Sequence, residues 1–375
     1  MNFLEHVAKA RVLAPAGIPV PKAIHCVTAE DAAVAVAELG PCMVKAQVPT
    51  GKRGKAGGIR AAMTPDEARE VADAILGMTI DGHRVESVLL EERAAIAREF
   101  YAAILTDTES RTPLLLFSTE GGMDIEEVAA TRPEALRRHR VDLDHGFGEA
   151  EARALLDGLD LGPARERIEA ILPALYRAGG SVDAELIEIN PLALLEDGRV
   201  VALDCKLTLD DAAAFRNSDL ARDASPEPMT ALEREGTAQG LKFIQLDGNV
   251  GVLANGAGLT MTTMDVIGHC GGRPANFLEI GGEAYTKSEA ALKLVLANPG
   301  VKSLVVNFCG AFARTDVMAE GVVTAWKRLN PEVPVFFSIH GTGEDEAVRL
   351  VREGLGVEPY DLMEDAVQAA VEAAR

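Results

Sequence analysis

Apolar residues recur in the first sixteen positions at Phe3, Leu4, Val7, Ala8, Val12 and Leu13, the spacing of one helical stripe, with Glu5, His6, Lys9 and Arg11 between them. Gly17-Ile18-Pro19-Val20-Pro21 breaks this helix into extended chain. A second helix is expected from Asp31 to Leu39 after Thr28, with Gly40-Pro41 as its stop and a short strand at 42–48. Thr64-Pro65-Asp66-Glu67 opens a third with a cap, a first-turn proline and early acids. Strands at 87–91 and 100–105 flank Glu92 to Arg98 as a hairpin-like unit, and a strand at 113–117 leads into Ser118-Thr119-Glu120-Gly121-Gly122. Residues 149–178 read as helix with a break at Gly158 and Gly162. Residues 185–206 then read as two apolar strands joined by a tight turn at Glu196-Asp197-Gly198.

From Asp210 to about Gly240 the pattern loosens into polar chain with Pro226 and Pro228, which marks a domain boundary. Beyond it strands are expected at 249–254, 275–280, 302–308 and 333–338. Each is followed by a glycine-bearing loop (Gly256-Ala257-Gly258, Gly281-Gly282, Gly310 to Arg314, Gly341-Thr342-Gly343) and a helix; the second of these helices is expected from about Thr286 to Ala297. Strict strand–helix alternation predicts an α/β, doubly wound parallel sheet, whose ligands bind at the carboxyl ends of the strands.

A chain of 375 residues exceeds one typical core, so two or three domains are expected. The net charge of -21 argues against nucleic acid or an anionic membrane as partner, since either demands a basic face. The five cysteines, at 26, 42, 205, 270 and 309, form no CxxC pair and imply reduced thiols, with neither a disulfide framework nor a zinc site. No apolar run reaches membrane-spanning length and no secretory signal is visible, so the expected location is cytoplasmic, or the mitochondrial matrix in a eukaryote.

Against that acidic background, three places carry chemistry. Lys45 stands inside a short strand, where an unpaired ammonium group is costly, so it snorkels at an edge or meets a permanent anion. The loop Pro49 to Gly58, with Lys52, Arg53 and Lys55 among glycines, favours the anion, because glycines admit a phosphate chain and cations neutralise it. It is not a P-loop: Gly54-Lys55 is followed by Ala56. In the 185–206 hairpin, a three-residue turn sets Asn190 opposite Asp204 and Glu188 opposite Lys206, all on one face. Such a face is either a hard-cation site or a charged surface turned to water. Gly256-Ala257-Gly258 imitates a dinucleotide fingerprint, but Met261 occupies the position of its third glycine.

Ten segments carry a resemblance: VKAQV (44–48), RGKAGGI (53–59), STEGG (118–122), IEINPL (187–192), ALDCKL (202–207), LDGNVG (246–251), NGAGL (255–259), TMD (263–265), PANFLEIGG (274–282) and VVNFCG (305–310). In order and spacing the chain resembles the β subunit of succinate–CoA ligase (succinyl-CoA synthetase), malate–CoA ligase and the corresponding part of ATP-citrate lyase. The resemblance implies an N-terminal ATP-grasp fold at 1–235, with a smaller lobe at roughly 20–95, and a flavodoxin-like CoA-ligase domain at 240–375. It implies ATP (or GTP), CoA and a short dicarboxylate as substrates, Mg²⁺ as cofactor, and a partner α subunit that carries the phosphorylated histidine and the CoA site. None of the seven histidines here stands in a family motif for that role.

By the same resemblance Lys45, Lys52, Arg53 and Gly54 would contact phosphates, and Glu91, Ala94 and Glu99 would line the nucleotide pocket. Asn190 and Asp204 would hold Mg²⁺, and Glu188 would meet the partner's histidine. Asn255, Ala311, Phe312 and Ala313 would contact the carboxylate substrate. Three departures from the family pattern stand out: Lys52 and Cys205 replace glycines, and Ala311-Phe312-Ala313 replaces a Gly-Ile-Val-like run. The last keeps malate or another short acid open beside succinate, while Pro21 leans towards ATP. Two other classes compete, a lone carboxylate–amine ligase and a non-catalytic nucleotide-binding assembly subunit. The second domain counts against the first, and retention of Lys45, Arg53, Asn190 and Asp204 against the second.

Overall fold

A computed structural model describes residues 1–51, 53–227, 229–281 and 287–375; Lys52, Pro228, Gly282 and the expected helix start at Thr286 lie outside the described residues. The chain divides into two units, Met1–Pro228 and Met229–Arg375. The first holds β1 (Asn2–Phe3), β2 (Ala23–Cys26), β3 (Cys42–Ala46), β4 (Ile59–Ala62), a small hairpin of β5 (Thr79–Ile80) and β6 (His83–Arg84), and β7 (Val88–Glu92). After Arg93-Ala94-Ala95 follow β8 (Ile96–Asp107), β9 (Thr112–Ser118), β10 (Leu136–Arg140), β11 (Ala184–Leu195), β12 (Val200–Ala202) and β13 (Lys206–Leu209). Among the described residues these make a small antiparallel sheet, β2-β7-β3-β4, and a large one, β1-β13-β11-β8-β9-β10, with β12 beside β11.

The small sheet packs one face against helices Ala29–Leu39 and Pro65–Ile75, capped by Thr28 and Thr64 as their sequences suggest. Val44, Ala46 and Leu90 point into that core, so alternation turns Met43, Lys45 and Glu91 to the opposite face. Helix Arg165–Ser181 covers the large sheet, burying Ile168, Leu172 and Leu175 with Phe100, Ile104, Ile187 and Ile189.

Two expectations fail in this unit. The strands at 87–91 and 100–105 are no hairpin: β7 pairs with β2 and β3, whereas β8 pairs with β9 and β11, so the chain between them crosses from one sheet to the other. The helix expected from the N-terminus is also interrupted. Asn2 and Phe3 pair with Thr208 and Leu207 of β13, and only Glu5–Ala8 is α-helical before a π-turn at Lys9–Leu13. That pairing spans some two hundred residues and leaves no local periodicity to read.

The second unit opens with helix Ala231–Ala238, in chain expected to be irregular; Thr230 and Glu233 form a capping box there. Then come β14 (Phe243–Gln245), β15 (Val250–Ala254), β16 (Asn276–Leu278), β17 (Ser303–Gly310) and β18 (Val335–Gly341). β15, β17 and β18 form a parallel sheet with a core on each side. Val250, Val252 and Val305 face helices Ala257–His269 and Met363–Ala373, while Leu253, Leu304 and Val306 face helices Ser288–Ala297, Thr315–Leu329 and Glu344–Leu355. Burial on both faces is why these strands are continuous apolar runs.

β16 departs from the simple four-strand sheet. It pairs antiparallel with β14 and meets β15 only through single parallel bridges at Val250/Pro274 and Ala254/Glu279. Between those bridges the buried Asn276 side chain replaces the ladder. Its Oδ1 accepts from Val252 N at 3.1 Å and its Nδ2 donates to Val252 O at 2.8 Å.

Candidate functional site

The 185–206 hairpin folds in the register that its turn dictates. Gly198 N donates to Leu195 O at 2.9 Å, Leu192 pairs with Ala202, and Glu188 pairs with Lys206. Between β12 and β13 the ladder opens at Leu203-Asp204-Cys205, opposite Pro191 and Asn190. There Asn190 and Asp204 are half-buried in the wall of a cavity of about 690 Å³. Lys45 of β3 and Arg53 and Gly54 of the glycine loop line the same cavity. So do Glu91 of β7, Ala94 of the crossing segment, and Glu99 and Glu188 of the large sheet. The structure therefore brings together nine positions drawn from four separate stretches of sequence; Lys52 lies outside the described residues.

At one end of the cavity the charges form a buried network. Lys45 Nζ donates to Glu91 Oε1 at 2.5 Å, Leu203 O at 2.6 Å and Glu5 Oε1 at 3.2 Å. Arg53 donates to Ala46 O at 2.8 Å and Asp204 Oδ1 at 2.6 Å, and its Nη2 pairs with Glu5 Oε2 at 2.7 Å. Lys9 bonds Glu5, Glu91 and Leu203 O. Burial opposes the charge on Glu5, but Lys45, Lys9 and Arg53 outweigh it and hold that carboxyl well below the ordinary carboxylate range. Burial likewise opposes the charges of Lys9 and Arg53. Glu5 and Glu91 overcome it at Lys9, and Asp204 and Glu5 at Arg53, so both pKa values rise.

Glu5 and Lys9, which the sequence pattern sets only among the polar positions between the apolar ones, join the site without having been expected there. They are only 2% and 4% exposed. A signal was present: positions 5, 8, 9 and 12 share one helical flank, so the pair lies beside Ala8 and Val12, which are buried.

Asn190 is oriented by the Ser118–Gly122 loop. Gly122 N donates to its Oδ1 at 2.7 Å, and its Nδ2 donates to Met123 O at 2.8 Å. Glycine is required for that approach: a Cβ at Gly121 would lie 2.3 Å from Phe100 O, and Gly122 has φ +73. Asp204 Oδ1 accepts from Arg53 at 2.6 Å and from Cys205 N at 2.7 Å, and no hydrogen bond from the described residues engages its Oδ2. Among the described residues no group of three His, Cys, Asp or Glu could hold a metal. Two oxygen donors at a cavity wall nevertheless fit Mg²⁺, which keeps waters and takes its remaining oxygens from phosphates. Burial raises the pKa of Glu188 above the ordinary glutamate value, against the pull of Lys206. It also raises that of Tyr101, reinforced by the negative charge of Glu188. Cys205 is buried, and desolvation with Asp204 beside it pushes its thiol pKa up, so it is no nucleophile.

In the second unit Asn255 and Ala311-Phe312-Ala313 lie on loops at the carboxyl ends of β15 and β17. Asn255 exchanges both hydrogen bonds with the Cys309 backbone, each at 2.8 Å, and so extends the β15–β17 ladder by one side chain. Thr342 Oγ1 donates to Ala311 O at 2.9 Å. The Phe312 ring, at 105% relative exposure, has no packing partner among the described residues.

The ATP-grasp domain family matches residues 2–194, and the CoA-ligase family matches residues 253–371. The β subunit of a GDP-forming succinate–CoA ligase from Thermus thermophilus is 44% identical over 375 residues, covering 99% of this chain and 98% of that one. The chain belongs to the succinate–CoA ligase β-subunit family. Another member, the ADP-forming β subunit of Rubrobacter xylanophilus, is 42% identical and aligns over 100% of this chain and 99% of its own. The family makes this chain part of an acid–CoA ligase with an ATP-grasp domain. Among solved structures, ATP citrate lyase from Methanothrix soehngenii superposes with a TM-score of 0.76 at 23% identity, covering 99% of both chains, which shows the shared fold. No helix among the described residues is long and apolar enough to cross a membrane.

Proposed function

We propose that this chain is the nucleotide-binding half of a reversible, cytoplasmic dicarboxylate–CoA ligase that works with an α subunit. The observation that carries the reading is convergence: Lys45 and Arg53 meet Asn190 and Asp204 around one cavity of about 690 Å³. A nucleoside triphosphate enters with its base towards Ala94 and Glu99 and its phosphates towards Lys45, Arg53 and Gly54. Asn190 and Asp204 would hold Mg²⁺, which when bound neutralises phosphate charge. The γ-phosphoryl group leaves the nucleotide, which becomes the diphosphate, and forms a P–N bond to the partner's histidine. It passes next to the carboxylate to give an acyl phosphate, and the CoA thiolate then forms the thioester and releases phosphate.

The work of this chain is positioning and charge. Lys45 and Arg53 donate to phosphate oxygens as negative charge shifts between them, in a site whose walls already hold both cations in place. Glu188 receives the partner's histidine; its burial beside Lys206 suits a carboxylate that gains a cationic neighbour on docking. Asn255 and the Phe312 loop contribute to the acid site in the second unit. Succinate is the leading substrate by family. The Phe312 ring, a departure from the Gly-Ile-Val-like run that the resemblance implies, favours testing malate beside it.

The test is co-expression with the cognate α subunit and a screen of short dicarboxylates with ATP and GTP, since the relatives include both GDP-forming and ADP-forming enzymes. With γ-labelled nucleotide, label should appear on the partner's histidine. Label on a histidine of this chain would overturn the reading.

A further inference from the structure

Lys9 has no part in the mechanism above, yet it is among the most buried charges in the molecule, at 4% exposure, and it does not line the cavity. A lysine has three N–H donors. Lys9 spends all three on Glu5 Oε1 at 2.5 Å, Leu203 O at 2.7 Å and Glu91 Oε2. Lys45 reaches the same three residues, with Glu5 Oε1 the most distant at 3.2 Å. Two ammonium groups thus share one set of acceptors, and only that of Lys45 opens on the cavity.

Among the described residues the charges of this network balance: Lys9, Lys45 and Arg53 stand against Glu5, Glu91 and Asp204. Without Lys9, Lys45 and Arg53 alone would answer Glu5, Glu91 and Asp204, and the surplus negative charge would repel an incoming phosphate. With Lys9 in place, Lys45 can exchange its long bond to Glu5 for a phosphate oxygen without leaving that carboxylate uncompensated.

We infer that Lys9 is a positioning residue: its ammonium neutralises Glu5 and Glu91 from behind, which frees Lys45 to take a phosphate. The inference rests on the nucleotide reading of the cavity. Its test compares Lys9→Met, which removes the charge at similar length, with the double variant Glu5→Gln/Lys9→Met, which removes one carboxylate as well and restores the balance. Mg-ADP affinity is measured by calorimetry on the folded full-length proteins. Lys9→Met should weaken binding about tenfold or more, and the double variant should recover to within about threefold of wild type. A merely structural ion pair shows its loss and rescue in the thermal melt and leaves the Mg-ADP affinity of the folded Lys9→Met protein unchanged.

Unchanged affinity in Lys9→Met, or a double variant as weak as the single, would overturn the inference. If Lys9→Met does not fold, the double variant decides: near-wild-type binding supports the role, and a folded protein that does not bind refutes it. Failure of the wild-type chain to bind Mg-ADP would overturn the nucleotide reading itself and this inference with it, whereas wild-type binding without rescue overturns the inference alone.

Discussion

Asp204 divides its carboxylate between two tasks. Oδ1 accepts from Arg53 and from the amide of Cys205, and the residue lines the cavity in which the cation is proposed. Asp204→Ala should therefore remove the proposed cation ligand and release Arg53 together. Turnover in the co-expressed pair should fall by about 10–100-fold or more, with the fold retained because the side chain is only half-buried. Steady-state kinetics and a thermal melt check both halves, and unchanged turnover would remove Asp204 from the metal role. Lys45 shows how far a single residue can be read. An ammonium group inside a strand demands an anion, and the sequence reading supplied a phosphate. The structure supplies Glu5 and Glu91, at separations of 40 and 46 residues, which no local pattern could have paired with it.

At the scale of elements, stability rests on side chains that replace backbone. Asn276 joins β15 to β16 where the ladder is missing. Asn276→Ala leaves the buried Val252 N–H and C=O without those partners, at a cost of about 2–5 kcal/mol, which urea unfolding would measure. Asp183, in the turn between helix Arg165–Ser181 and β11, fastens that junction to Arg216 and Asn217. Its carboxylate accepts Arg216 Nε and Nη2 and Asn217 Nδ2, each at 2.8 Å. The Arg216 bonds, then that of Asn217, lower its pKa from 3.8 to about 2. A carboxyl depressed on folding contributes stability above its unfolded pKa and loses it as pH falls through the folded value. Asp183→Asn should thus melt below wild type at pH 7, with the gap closing between about pH 4 and pH 2. A gap that stays constant down to pH 2 would refute the ion pair's contribution. The hairpin was legible because a turn of three residues dictates every pairing beyond it. The pairing of β1 with β13 was not, since nothing near Asn2 records Thr208.

For the whole molecule, the family joins an ATP-grasp domain and a CoA-ligase domain in one chain, and the acid-contacting loop proposed above belongs to the second. Phe312→Ile should shift the preference among short dicarboxylates while leaving nucleotide affinity within about twofold, because its loop and the nucleotide cavity belong to different units. An unchanged acid profile in kcat/KM across succinate and malate would separate that loop from selection. The amino-acid sequence by itself determined what local chemistry can encode: alternation in the second unit, glycines at the strand ends, caps at Thr28 and Thr64, and the register that sets Glu188 against Lys206. Strand–helix period, backbone freedom and turn length act over a few residues, so a linear pattern records them. Only the tertiary structure decided which charges meet. It brought Glu5 and Lys9 from the first helix under Lys45, opened the ladder between Asn190 and Asp204, and turned the Asn255 amide onto Cys309. Those are contacts between distant segments, and burial makes each charge depend on a partner whose position the local pattern does not contain.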